Sequence, residues 1–229
     1  MAAKVIVSYD DTLNDHDALA LGRLLADAGA QLTLAYVRHT TQSERSREEL
    51  EEHEAEALLE RGARWLGDYE VERRVVVSPS TGEGLKWLAD EEDADIVVFG
   101  SDYRTAPGRV SPQRSAQTLL EGGPAALAIA PANFRAKESH EIRRIGLLAS
   151  PGDDAAIETA RELADRLGAS VTRDERQVEF LVVGSRVEAP EGRVMLTAQT
   201  QNEIENATSP VLVVARGVPL RFATPIAVY

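Results

Sequence analysis

Two stretches of the chain could present reactive groups from a backbone turn. Asp10-Asp11-Thr12 puts two carboxylates and a hydroxyl directly after the β-branched run Lys4–Tyr9 (KVIVSY), with the turn and helix-cap residues DDTLND following it. The second stretch, Gly100 to Ser115 (GSDYRTAPGRVSPQRS), starts with a glycine after an apolar run. It carries Arg104, Arg109 and Arg114 and ends on a hydroxyl before a helical pattern. Backbone N–H groups at a helix start and guanidinium forks are the parts from which anion sites are made. Two readings of this loop stand side by side. In one, the arginines hold an anion; in the other, they are solvated charges offsetting an acidic surface.

Other candidates fail on spacing. In EELEEHEAEALLE, His53 has no second histidine four residues on, so the run reads as a solvated helical face. Thr81-Gly82-Glu83-Gly84 offers a GxG, but Trp87 takes the third glycine position and the motif does not follow the first strand. His16, His39 and His140 are scattered, and no serine sits in GxSxG. Asn206-Ala207-Thr208 is a glycosylation sequon only in a secreted protein. No catalytic constellation emerges, and the expectation is a protein that is not an enzyme.

The elements that must carry these residues alternate strand and helix. Apolar runs at Lys4–Tyr9, Gln31–Arg38, Val71–Val77, Asp95–Gly100 and Ala125–Ala130 read as strands. Between them come a helix ending at Gly29, a long charged helix over Ser43–Leu66, a third over Gly82–Glu92 and a fourth over Ser115–Glu121. This order predicts an α/β fold, a five-stranded parallel sheet with helices on both faces, because parallel strands need crossover connections. PANFRAKESHE then reads as a linker. Strands follow at Ile145–Ala149, Val178–Gly184 and Pro210–Ala215, with helices over Ala155–Leu167 and Thr197–Ala207.

The second set repeats the first in part. GS, AP, GRV and AQT recur in order, and Gly100 to Gly108 and Gly184 to Gly192 are both eight residues apart. Gly184 follows Ile145 much more closely than Gly100 follows Val5, so the second copy is abridged. It is expected to hold about three parallel strands. The boundaries are 1–135 for a complete domain, 136–141 for the linker, 142–216 for the reduced repeat and 217–229 for a tail. A unit that small buries too little to stand alone, so it should pack on the first.

Charge and composition narrow the partners. Lys+Arg 25 against Asp+Glu 38 gives −13, which disfavours nucleic acid, and both parts of the chain are acidic. Zero cysteines exclude disulfides and thiolate chemistry. MAAKVIVSYDD has no long apolar h-region, and no run approaches membrane-spanning length. The expectation is a soluble cytoplasmic protein with neither nucleic-acid nor membrane partners.

IVSYDDTLNDHDALA, TLAYV, DADIVVFGS and RSAQTLLEGGPAALAIA together resemble the universal stress protein family, here in tandem form with an abridged second repeat. The resemblance implies strand order 3-2-1-4-5, dimerisation through the last strand, and ATP or AMP binding in one subset. That subset carries GxxG-x9-G[ST]. Here Gly100 and Ser101 open the motif, Tyr103 replaces the second glycine, and the loop has one extra residue. Arg114 stands at the third glycine, followed by Ser115 and Ala116. Asp10 and Thr12 match the opening acid and hydroxyl, Asp11 stands in for glycine, and Val37 matches the adenine-side position. The implied nucleotide site is therefore Asp10, Thr12, Val37, Gly100, Ser101, Arg114, Ser115 and Ala116. In the second repeat, Ser150-Pro151-Gly152 replaces the acidic opening and makes a nucleotide there a poor fit.

The expectation is a stress-response binding or interaction protein with a degenerate nucleotide site; the alternative is an ATP or AMP sensor. Ala125–Ala130 and Val211–Ala215 could meet antiparallel, so that the second repeat acts as an intrachain partner, a pseudo-dimer; a homodimer of whole chains stays open. The apolar tail from Val218 is expected to dock, and the tail or a partner chain is expected to cover the free edge beside the second repeat's first strand.

Overall fold

The computed structural model describes residues 2–39, 45–68, 70–150, 152–173 and 177–223, with the side chains of 45–51 outside that description. The first five strands are β1 (Lys4–Ser8), β2 (Gln31–His39), β3 (Glu72–Ser78), β4 (Ile96–Gly100) and β5 (Ala126–Ala130). The first four helices are α1 (Leu13–Asp27), α2 (Arg45–Leu66), α3 (Thr81–Glu91) and α4 (Arg114–Leu120). The remaining elements are β6 (Arg144–Leu148), α5 (Asp154–Leu167), β7 (Ser170–Thr172), β8 (Phe180–Gly184), α6 (Ala198–Asn206) and β9 (Val211–Val214).

Among the described residues, nine strands form one sheet in the order β3-β2-β1-β4-β5-β9-β8-β6-β7. The first five follow the expected 3-2-1-4-5. The pairs within each half are parallel. The junction is antiparallel, with Leu127 opposite Val213, Ala128 opposite Leu212 and Ile129 opposite Val211. The second half holds four strands rather than three. Ser170–Thr172 pairs with Arg144–Gly146 and takes the place that β2 has beside β1.

Period-two alternation divides the apolar residues between two cores. On one face Val5, Val7, Val98, Ala128, Leu147, Phe180 and Leu212 meet α1, α2 and α5. On the other, Ile6, Val97, Phe99, Leu127, Val183 and Val213 meet α3, α4 and α6. Each core runs through both halves, so β5 and β9 are covered on both sides.

The connecting segment is ordered by a residue far away in sequence. Asp17 of α1, fully buried, accepts from the Asn133 and Arg135 N–H groups at 2.8 and 2.9 Å and pairs with the Arg135 guanidinium at 2.9 Å. Phe134–Ala136 forms a 3-10 turn that buries Phe134.

The tail docks, but not on the predicted edge; β7 occupies that place beside β6. Leu220 and Phe222 are buried with the α1–α5 core. The Leu220 N–H donates to Thr159 Oγ1 (2.9 Å) and the Ala223 N–H to the Gly29 carbonyl (3.1 Å). Gly29, at φ +103°, has the Ala223 oxygen 1.9 Å from where a β-carbon would stand, so only glycine admits this crossing. Residues 224–229 lie outside the described residues.

Candidate functional site

The sheet changes winding direction between β1 and β4, and open parallel sheets bind ligands beyond the carboxyl ends of such strands. At the end of β1, Asp11 takes φ +56°, a left-handed turn that aspartate tolerates better than most residues. Thr12 caps α1. Its hydroxyl donates to Asp15 Oδ2 at 2.7 Å and accepts from the Asp15 N–H at 3.3 Å. Asp15 also accepts from the Asp10 and Thr12 N–H groups at 3.0 and 3.1 Å. Burial pushes the Asp15 carboxyl above its ordinary range, against the pull of those hydrogen bonds. Asp10 is exposed on the rim, and its carboxyl is raised by desolvation and by the neighbouring Asp15 charge.

Behind this turn lies a cluster for which the sequence carries no motif. Buried Tyr9 donates its phenol to Asp11 Oδ1 at 2.7 Å, and Arg61 Nε pairs with Asp11 Oδ2 at 2.7 Å. His16 lies between the Tyr9 and Trp65 rings, with centroids 6.0 and 5.7 Å away. Burial, then the Asp11 bond, drives the Tyr9 phenol well above its ordinary range. The Tyr9 and Arg61 bonds hold the Asp11 carboxyl low. The cluster pins α2 to the β1–α1 turn, and its Arg61 also lines a cleft.

That cleft has a volume of 580 Å³ and is lined by Asp10, Val37, Arg38, His39, Glu54 and Arg61 among others. His39 Nε2 is 3.1 Å from Thr81 Oγ1 at the start of α3. Val37 is buried against α3, its Cγ1 2.8 Å from where a β-carbon on Gly84 would sit. Asp10 and Val37 therefore share one cleft. Gly100, Ser101, Arg114, Ser115 and Ala116 do not line it, and Thr12 is committed to its cap.

The Gly100–Ser115 loop is organised by contacts within the protein. A β-carbon on Gly100 would stand 1.9 Å from the Asn14 carbonyl oxygen, so the glycine lets α1 begin against the end of β4. Ser101 is fully buried; its hydroxyl donates to the Ala130 carbonyl at 2.7 Å and accepts from the Ser111 N–H at 3.2 Å. Tyr103 is 71% exposed, and Arg104 Nε donates to its phenol at 2.6 Å. Arg109 Nη1 donates to the Asn206 carbonyl at the end of α6, 2.9 Å away. Arg109 is exposed, and one of its guanidinium donors binds the other half of the chain. Arg114 opens α4 on the surface, and Ala116 is a core residue.

The second repeat uses the same devices. Ser185 donates to the Val214 carbonyl at 2.8 Å, as Ser101 does to Ala130. Gly184 lies against Asp153, the α5 cap, as Gly100 lies against Asn14. The repeated Gly-Arg-Val triplets cross over the antiparallel junction. The Val110 N–H donates to the Ala207 carbonyl (3.1 Å), and the Val194 N–H to the Gly123 carbonyl (3.2 Å). The Gly122 N–H in turn donates to the Val194 carbonyl at 2.8 Å. The recurring motif is therefore an interlock between the halves.

Among the described residues no helix is long and apolar enough to cross a membrane, and no group of three or more His, Cys, Asp or Glu could hold a metal. Residues 1–131 match the model of the universal stress protein family. A universal stress protein from Archaeoglobus fulgidus superposes with a TM-score of 0.71 at 15% identity, covering 93% of this chain and 98% of that one. A putative universal stress protein from Pseudomonas aeruginosa superposes at 0.60 and 14% identity, covering 93% of each chain. Among curated proteins no sequence matches.

Proposed function

This chain belongs to the universal stress protein family, and we propose that it is a non-enzymatic stress-response interaction protein, cytoplasmic, whose first repeat keeps a degenerate nucleotide site. In this reading residues 1–135 form a complete domain and 142–216 a reduced one that serves as its built-in dimer partner. The observation that carries the reading is the commitment of the loop. The Ser101 hydroxyl is spent on Ala130, Arg109 reaches across to Asn206, and Tyr103 and Arg114 occupy glycine positions. Side chains at those positions keep the backbone away from a phosphate.

A second reading, one ATP or AMP site per chain, draws on the cleft that Asp10 and Val37 share. Thermal melting with ATP and with AMP, each with and without Mg²⁺, separates the two. A ligand at a hundredfold excess over its Kd stabilises by about 2.7 kcal/mol. The interaction reading expects no shift at millimolar nucleotide. A saturable shift that Asp10→Ala abolishes would establish the sensor instead.

A further inference from the structure

The two outer edges of the sheet are treated differently. β7 is three residues long, and a short edge strand offers little to pair with. β3 is seven residues long and among the described residues pairs only with β2, over Thr33–His39. Its first half is blunted, because Arg74 is tied to Glu72 and Glu92 by ion pairs. Its second half, Val75-Val76-Val77, carries no charge, proline or bulge, and no described residue pairs with its outer side. Val75 packs towards α2, the period of two puts Val77 on the same side, and Val77 is 51% exposed. Alongside lies a 620 Å³ groove walled by Glu52, Glu56 and Glu60 of α2 and by Arg73 and Val75 of β3.

We infer that the β3 edge is a strand-addition site for an extended, lysine- or arginine-bearing segment of another protein. Main-chain pairing to Val75–Val77 would supply the affinity. Alternate side chains of the segment would meet the valines and the glutamate row. The charge decides against a second copy of this chain. Antiparallel pairing of two β3 edges sets α2 beside α2, so each glutamate row would face the other across the axis, on a chain of net charge −13. The groove is not the cleft of Asp10 and Val37, but both touch Ala57 of α2, so the test is run without nucleotide and does not depend on the nucleotide reading.

A short peptide of alternating lysine and valine is the probe, with a glutamate–valine peptide as its counterpart. Hydrogen exchange should slow at Val75–Val77 when the basic peptide binds to the full chain, and affinity should fall as salt rises. Glu56→Lys with Glu60→Lys should weaken the basic peptide about tenfold or more while gaining binding of the acidic one. Val77→Lys, which leaves α2 untouched, should also weaken the basic peptide. Protection elsewhere, or affinity indifferent to both variants, overturns the inference. Concentration-dependent dimerisation that protects Val75–Val77 without peptide would overturn it too, assigning the edge to a second copy.

Discussion

Gly100→Ala tests whether helix packing dictates the first glycine of the loop. The added β-carbon would lie 1.9 Å from the Asn14 oxygen and 2.6 Å from its carbonyl carbon. Relaxing that contact to about 3.3 Å requires the first turn of α1 to withdraw by about 1.4 Å. The turn cannot withdraw freely. Thr12 and Asp15 close a capping box there, and Asp17 grips Asn133 and Arg135 one turn further on. Overpacking against a fixed backbone costs typically 1–3 kcal/mol, and this contact belongs near about 3 kcal/mol. Gly184→Ala provides the internal comparison. Its β-carbon would lie 1.7 Å from Asp153 Oδ2, a side-chain atom that can rotate away at the loss of the α5 cap, about 1 kcal/mol. Urea unfolding of both variants and the parent gives the two values. A Gly100→Ala cost below that of Gly184→Ala would refute the packing argument and return the glycine to a ligand role.

Four further perturbations have defined outcomes. Arg109→Ala removes the exposed bond to Asn206 and should cost about 1 kcal/mol in urea unfolding, with faster amide exchange at the end of α6. Phe222→Ala should cost about 3 kcal/mol, since the ring is buried in the α1–α5 core; an unchanged melting temperature would show that the tail is not docked. Asp17→Ala should cost about 3 kcal/mol and open the segment after Ala132 to proteolysis, because two N–H groups and a guanidinium lose their acceptor. For Asp15, raised above its ordinary 3.8 by burial, folding favours the protonated form. Its contribution is therefore full below 3.8 and is lost as pH rises through the folded value, a slope that Asp15→Asn should remove from the urea midpoint against pH.

The first five strands were legible because each is an apolar or β-branched run, four of them closed by Gly, Asp or Pro. β7 was not, since Ser170-Val171-Thr172 contains a single large apolar residue and pairs through its backbone. The repeat was visible as matching letters, but its use was not. Arg109 and Asn206 are 97 positions apart, and nothing local to either announces the other. The same holds for Asp17 and Arg135, which turn an apparently aperiodic linker into an ordered turn. Of the candidate site, Asp10 and Val37 converge on a cleft, whereas Gly100, Ser101 and Ala116 are held by contacts within the protein and Arg114 lies on the surface. The Tyr9–His16–Trp65 stack had no signature, because its members come from a strand end and two helices.

The antiparallel meeting of β5 and β9 has a consequence for how this protein can change. In a dimer of identical subunits every substitution appears twice, and both sites drift together. Here the two faces of the junction are encoded separately and joined by one chain, so their encounter is unimolecular and indifferent to dilution. A substitution at Asp10 leaves Ser150 untouched, and loss of a strand from one half leaves the other complete. The covalent joint thus lets each half change on its own wherever it does not touch the other.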